Sequence, residues 1–334
     1  MYHSLLYSKI EASFHALKNK KIFLTGGTGF FGKSLLELIS RHPNHNFDLV
    51  ILSRDPDFFR QQNSTFKNIK NIRFHKGDIT NFSFPDETFD YILHFATPAD
   101  AQLNVEQPLL MTNIIVEGMK HLLNFAVHCK AKKVLFTSSG AAYGPQPPEL
   151  LLTPESYNGA PFTNAVDAAY GESKRFAEFL GVNYSKKHNF EFKIARCYTF
   201  AGKFLNKKGG YAMASFIDDV KNNQAIQIKG DGTPYRSYLY ADDLIVWLLT
   251  ILENGKNNEI YNVGSDQYLS INELAQLVIK ALKSNVTLNI QQTPKPGSKP
   301  SRYIPNTEKA RQELGLHAWT TVEEAIIQSA QVNL

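Results

Sequence analysis

The 334-residue chain is poor in cysteine: Cys129 and Cys197 are too few for a disulfide framework and have no metal-ligand spacing. No metal is expected, and this usage fits a reducing compartment, with the cytoplasm as the expected address. Long apolar runs are missing too. The longest, such as Leu244 to Leu252, fall well short of the ~18 residues of a membrane span, so no membrane partner is expected. The N-terminus lacks the basic stretch, apolar segment and small-residue cleavage site of a signal peptide. No dense Lys/Arg run occurs, and Lys+Arg 36 against Asp+Glu 31 leave only +5. That surplus favours an anionic small molecule and does not require nucleic acid. No internal repeat of fixed period is present. Disorder is excluded as well, since 43% hydrophobic and 20% charged positions suffice to bury a core.

What the sequence does have is alternation. Lys21 to Thr25 (KIFLT) runs into glycines, and Phe30 to Arg41 then shows helical period. Further apolar runs lie at Phe47 to Leu52, Ile72 to His75, Tyr91 to Phe95, Val134 to Thr137 and Phe190 to Ala195. Helical patterns at Leu109 to His128 and Ala165 to Lys187 separate several of them. Short buried strands alternating with helices predict an α/β chain built on a Rossmann-type, doubly wound parallel sheet covered on both faces. Leu6, Ile10, Phe14 and Leu17 predict an amphipathic helix ahead of the first strand, packed on the domain edge or at a subunit contact. Two proline-dense stretches, Gly144 to Pro161 and Gln291 to Pro305, either border a ligand cleft or simply connect elements.

Gly26, Gly29 and Gly32, in TGGTGFFG, stand between the first strand and the first helix of that alternation. Glycines there permit positive φ and remove the Cβ that would block a pyrophosphate, while the helix start offers unpaired N–H groups. Dinucleotide binding follows. At the end of the second strand, where an NAD site usually has a carboxylate for the ribose hydroxyls, the chain reads Ser53, Arg54, Asp55. Serine and arginine suit a 2′-phosphate and favour NADP(H); a register shift of two would instead make Asp55 a ribose acceptor and favour NAD(H). Tyr170 and Lys174, in YGESK, share one helix face, which puts an ammonium beside a phenol. Thr137, Ser138 and Ser139 follow an apolar run and offer a hydroxyl at a strand's carboxyl end, or a turn or helix cap.

In this order the segments resemble the extended short-chain dehydrogenase/reductase family, in particular its nucleotide-sugar epimerase, dehydratase and reductase branch. The resemblance covers nearly the whole chain from Lys21: the glycine turn, GDIT (Gly77 to Thr80), HFAT (His94 to Thr97), Asn113, FTSSGAAYG (Phe136 to Gly144), and YGESK. It continues through Ala195 and Arg196, GDGTPYRSYLYADD (Gly230 to Asp243) and YNVGSDQYLSINELA (Tyr261 to Ala275). It implies a cofactor site at Gly26, Thr28, Gly29, Phe30, Phe31, Gly32, Ser53, Arg54, Asp78, Ile79, Phe95, Ala96 and Thr97. Ser139 would hydrogen-bond the substrate oxygen. Tyr170 would exchange the proton, and Lys174 would bind the nicotinamide ribose and lower the tyrosine's pKa. His94 falls at a mostly structural position. Arg236 and Arg302 would hold the substrate's diphosphate. The family's R-x-x-N reads Arg196, Cys197, Tyr198, Thr199 here, placing Thr199 where an Asn helps hold the nucleotide sugar.

The apolar spacing ahead of Lys21 makes residues 1–20 an N-terminal helical extension, and the resemblance further implies a cofactor domain over 21–200 plus about 236–263. A smaller C-terminal substrate-binding domain would take about 201–235 and 264–334. A homodimer would form through the helices Leu109 to His128 and Ala165 to Lys187. Family 4,6-dehydratases carry an Asp-Glu pair where this chain has Gly140 and Ala141, and neither of these can move a proton. The expectation is an enzyme that reduces a keto-sugar nucleotide, for example a 4-keto-6-deoxyhexose nucleotide, with NADPH. An NAD-dependent nucleotide-sugar 4-epimerase is the alternative, and a non-catalytic NADP(H)-binding sensor a third reading. Pocket-shaping residues such as Tyr143, Tyr198 and Tyr211 cannot be oriented from the sequence.

Overall fold

The run KIFLT lies at the middle of a sheet because both of its faces are apolar: Phe23 turns to one side, Ile22 and Leu24 to the other. The computed structural model describes residues 4–67, 69–98, 100–205 and 210–331. Helix α1 (Ser4–Ala16) precedes β1 (Lys21–Thr25), α2 (Phe30–Arg41), β2 (Asp48–Ser53), α3 (Pro56–Gln62), β3 (Ile72–Lys76) and β4 (Tyr91–His94). Next come α4 (Ala101–Glu106), α5 (Pro108–His128), β5 (Lys133–Ser139), α6 (Ala168–His188) and β6 (Glu191–Cys197). They are followed by β7 (Phe200–Ala201), α7 (Ala212–Lys221), β8 (Ile226–Ile228), β9 (Tyr235–Ser237), β10 (Leu239–Tyr240), α8 (Ala241–Asn254) and β11 (Ile260–Val263). The chain closes with β12 (Tyr268–Ser270), α9 (Ile271–Ala281), β13 (Leu288–Ile290), β14 (Arg302–Tyr303), α10 (Glu308–Leu314) and α11 (Val322–Ala330).

Seven strands pair in parallel in the order β11-β6-β5-β4-β1-β2-β3. This is the doubly wound, Rossmann-type α/β sheet. From β1 the chain builds outward through β2 and β3, then returns to the other side of β1 as β4. That reversal opens a crevice between β1 and β4 at the carboxyl ends of the strands, where doubly wound sheets bind ligands.

Strand alternation divides the core into two layers. Ile22, Leu24, Leu49, Ile51 and Leu93 face α1, α2 and α8, while Phe23, Val50, Ile92, Val134 and Phe136 face residues of α5 and α6. Leu6, Ile10, Phe14 and Leu17 join the first layer, so the apolar face of α1 is used within the chain. A third cluster gathers α7, α9 and α11 around Phe216, Ile226, Leu274, Val278 and Ile326. Two helices here start with a capping box, Ser270 with Glu273 and Thr321 with Glu324. The C-terminal stretch divides its allegiance, because Ala310, Leu316 and Trp319 return to the first layer of the large core. Asp243, at the start of α8, fastens that return by accepting the N–H groups of Trp319 and Thr320 and the Thr320 hydroxyl. Among the described residues, no helix is long and apolar enough to cross a membrane.

Candidate active site

The turn between β1 and α2 is built around glycine. Gly26 has φ +72, and a Cβ there would lie 2.5 Å from the Ala96 nitrogen. A Cβ on Gly32 would lie 2.2 Å from Gly27 Cα, so α2 could not sit this close to the turn with any larger residue. Gly29 caps α2 with no side-chain hydrogen bond, which leaves N–H groups of the first turn open to an anion. Beside it lies a cavity of about 280 Å³ lined by Gly26, Thr28, Gly29, Ser53, Arg54, Asp78, Ile79, Phe95, Ala96 and Thr97, with Leu52, Gly77, Pro98 and Ile114. These residues come from the ends of three strands and the glycine turn, so the crevice at the reversal and the expected cofactor residues coincide. Phe30, Phe31 and Gly32 are not among the lining. The Phe30 and Phe31 rings turn to Phe200, at 6.3 and 5.2 Å between centroids, leaving those two residues only backbone N–H groups to offer.

At the end of β2 the two sequence alternatives separate. Ser53 is buried at the cavity wall and Arg54 is exposed at its rim. Asp55 does not line the cavity; its carboxylate accepts the Phe58 N–H at 3.0 Å and caps α3. Across the cavity, burial would raise the Asp78 carboxyl, but hydrogen bonds from Thr80 and the nearby Arg54 charge hold it below the usual range. A pyrophosphate fits a cradle that no Cβ fills, while the Ser53 hydroxyl and the Arg54 guanidinium share the cavity with the Asp78 carboxylate.

Tyr170 and Lys174 stand one turn apart on α6. Lys174 is 1% exposed and donates to Thr97 Oγ1 at 2.6 Å and to the Thr137 carbonyl at 2.7 Å. Burial pushes its ammonium down to about 7, against the raising effect of Cys197 and Glu178. Tyr170 moves the other way from the sequence expectation. Burial, with Tyr303 adding to it, raises its phenol above the ordinary value, and hydrogen bonding with Ser139 only partly opposes this. The reason is geometric: Lys174 directs donors to Thr97 and Thr137, and its Nζ is 5.7 Å from the Tyr170 ring centroid. A phenol held neutral in this way carries its proton at pH 7 but is a weaker acid than a free phenol. Ser139 ends β5, where its Oγ accepts the Ala141 N–H at 3.1 Å and lies 3.4 Å from the Tyr303 hydroxyl. It is thus a cap and a site hydroxyl at once. His94 is buried and pushed down to about 3, first by burial and then by Lys174; its neutral ring pairs with Thr25 Oγ1 at 2.7 Å.

The C-terminal half contributes a three-stranded sheet, β12-β9-β14. Arg236 is in register with Tyr303, and Tyr235 with Arg302. Side chains alternate along a strand, so Arg236 and Tyr303 share one face and Arg302 takes the other. The two arginines thus leave this small sheet from opposite faces. Arg302 is held between aromatic rings, its guanidinium carbon 4.7 Å from the Tyr235 centroid and 5.3 Å from that of Tyr268. Arg236 is the cation on the Tyr303 side. Burial lowers its pKa, and its Nη1 donates to the carbonyl of Tyr235 at 2.8 Å.

Tyr303, missed in the sequence, reaches Ser139 in place of its neighbour. Its only sequence signal was adjacency to Arg302 in a short strand, where a shift of one residue changes the face. The carbonyl of Thr199 accepts the Leu239 N–H at 3.1 Å, and Thr199 is not on the cavity wall. Tyr198 instead covers Gly140, where a Cβ would lie 2.7 Å from its Cζ, and its ring is 4.6 Å from that of Tyr303. Tyr143 turns away to donate to Asn262 Oδ1 at 3.0 Å. Tyr211 lies where burial and Asp100 raise its pKa. No group of His, Cys, Asp and Glu among the described residues could hold a metal ion.

Known proteins share both sequence and architecture with this chain. It is 28% identical to UDP-glucuronic acid decarboxylase 6 of Arabidopsis thaliana over 92% of its length and 87% of that protein. Identity is also 28% with the human dTDP-D-glucose 4,6-dehydratase, over 79% of this chain and 74% of the other. Among solved structures, the UDP-N-acetylglucosamine 4-epimerase of Methanobrevibacter ruminantium superposes with a TM-score of 0.81 at 21% identity, covering 94% and 97% of the two chains. The UDP-glucose 4-epimerase of Thermotoga maritima gives 0.77 at 22% identity, covering 93% and 97%. The family described as NAD dependent epimerase/dehydratase matches residues 22–264. With the glycine turn, the parallel sheet and the helix carrying YGESK all inside that span, the chain belongs to the NAD dependent epimerase/dehydratase family, enzymes of the extended short-chain dehydrogenase/reductase type.

Proposed function

We propose that the protein reduces a keto-sugar nucleotide, such as a 4-keto-6-deoxyhexose nucleotide, with NADPH. The sugar class is supported by the relatives, whose names carry UDP or dTDP sugars. The cofactor preference rests on one observation: Ser53 and Arg54 line the cavity while Asp55, the acid that would favour NAD, caps α3.

When bound, the dinucleotide supplies a hydride to the carbonyl carbon. The chain's own groups do the rest. The first-turn N–H groups of α2 meet the pyrophosphate, and Ser53 and Arg54 meet the 2′-phosphate. Lys174 offers its ammonium to the ribose hydroxyls. Tyr170 gives its proton to the carbonyl oxygen, whose developing alkoxide is more basic than a phenolate, and Ser139 hydrogen-bonds that oxygen as charge develops on it. Arg236 holds the diphosphate. Gly140 and Ala141 leave no acid–base pair beside the sugar for dehydration. We further infer a homodimer through α5 and α6, which expose Leu109, Leu110, Phe176 and Phe179.

A second reading, an NAD-dependent 4-epimerase, is favoured by the epimerases among the structural relatives and by a further structural relative, WbmF, solved with NAD+ and with NADH. Separate affinities for NADPH and NADH, with NADPH consumption over a panel of keto-sugar nucleotides, decide between them. NADH binding at least as tight as NADPH, without net NADPH consumption, would move the assignment to the epimerase. Loss of turnover in Tyr170→Phe with dinucleotide binding retained is expected for either; near-normal turnover would remove Tyr170 as the proton donor.

A further inference from the structure

The first turn of α6, which carries Tyr170, is capped from a distant part of the chain. The leading N–H groups of a helix have no intrahelical acceptor and are often met by the side chain just before the helix. Asp167 holds that position, and its side chain makes no such bond. The Tyr170 N–H donates instead to Asn104 Oδ1 at 2.9 Å, and Asn104 Nδ2 donates to the Asp167 carbonyl at 2.7 Å. Both polar atoms of one amide therefore grip the same turn. Asn104 sits on α4, whose start is fixed by Asp100 accepting the N–H groups of Gln102 and Leu103.

The same strand-to-helix connection lines the dinucleotide cavity. Phe95, Ala96, Thr97 and Pro98 border it, and Thr97 accepts the hydrogen bond from Lys174. So α6 is held at Tyr170 through Asn104 and one turn later at Lys174 through Thr97. Helix α4 has no fully buried residue and meets the second core layer through the partly buried Leu103, so it follows the Phe95 to Pro98 segment in sequence as a lightly anchored element.

We propose that Asn104 is a positioning residue that couples occupancy of the dinucleotide cavity to the setting of Tyr170, tightening the turn that bears the proton donor when the cofactor is in place. The proposal rests on the reading of the cavity as a dinucleotide site and of Tyr170 as the proton donor.

Amide hydrogen exchange on the full chain, with and without saturating NADP+ or NAD+, tests it without a known substrate. In the wild type, dinucleotide should slow exchange at residues 26–32 and, about fivefold, at 168–172. Asn104→Ala should keep the slowing at 26–32 and bring the dinucleotide-dependent ratio at 168–172 to about one. Asn104→Asp, which keeps the acceptor for the Tyr170 N–H, should restore part of it. A purely structural cap would speed exchange at 168–172 equally in both states and leave the ratio unchanged. An unchanged ratio in Asn104→Ala, or no slowing at 168–172 in the wild type, overturns this inference alone. No slowing at 26–32 with either dinucleotide overturns the dinucleotide reading and the inference together.

Discussion

Replacing Lys174 by methionine should stabilise the fold while ending turnover. The ammonium is 1% exposed, and burial lowers its pKa from 10.5 to about 7. The difference of about 3.5 units, at ~1.36 kcal/mol per unit, means that holding the charged form inside costs roughly 5 kcal/mol. The substitution also removes the hydrogen bonds to Thr97 and Thr137, worth about 1–1.5 kcal/mol each, so a net gain of roughly 2 kcal/mol is expected below pH 7. The sign follows from proton counting. Between pH 7 and 10.5 the unfolded chain holds a proton on Lys174 that the folded chain has lost, so wild-type stability rises with pH across that window. The advantage of Lys174→Met is therefore largest below pH 7 and shrinks towards pH 10. At an unfolding entropy of about 2.1 cal/mol/K per residue, each kcal/mol moves the Tm of a chain this long by roughly 1.4 °C. Thermal unfolding of both proteins at pH 6 and pH 9, without dinucleotide, should show a difference of about 3 °C at pH 6 that narrows or reverses at pH 9. A variant less stable at pH 6, or a difference independent of pH, would refute the reasoning.

Other outcomes follow from particular contacts. Arg236→Ala should weaken nucleotide diphosphate binding by about 1.5–3 kcal/mol in calorimetry, whereas Arg302→Ala should leave that affinity nearly unchanged because its guanidinium faces Tyr235 and Tyr268. Equal losses would show that the strand faces are assigned wrongly. Gly140→Ala should cost about 1–3 kcal/mol in denaturant unfolding, since the new methyl meets the Tyr198 ring; pairing it with Tyr198→Leu should recover most of the loss. Phe176→Glu with Phe179→Glu should leave the far-ultraviolet spectrum unchanged and convert a dimer to a monomer in sedimentation; a wild-type monomer would contradict the dimer.

The sheet was legible because its strands are apolar on both faces and lie between clear helices. KIFLT became β1 without a change of boundary, and the next five runs shifted by a residue or two at their ends. The seventh strand, β11, was not read as one, because the four residues IYNV carry too short a period to tell strand from loop. The glycine turn was equally readable, since a backbone approach such as Gly32 to Gly27 leaves glycine as the only solution. The choice between Ser53 and Asp55 was not, because it depends on where a strand ends and which side chain caps the next helix. Arg302 illustrates the sharpest limit. In a two-residue strand the composition suggests a phosphate contact, yet only the pairing partner decides which residue points inward, and that residue is Tyr303. The cap on Tyr170 was invisible for a different reason: it joins residues 66 apart, through an asparagine outside every segment that carried the resemblance.

The return of Ala310, Leu316 and Trp319 to the large core bears on how the protein is made. A ribosome releasing this chain from its N-terminus would deliver the glycine turn and α6 long before the residues that finish the layer beneath α8. Until then Asp243 lacks its partners and Trp247, whose indole N–H is held by the His317 carbonyl, faces an unfinished wall. A chain ending before Ala310 would thus present a sheet with an open apolar side, prone to association. The residues that close it emerge well after the sheet they cover.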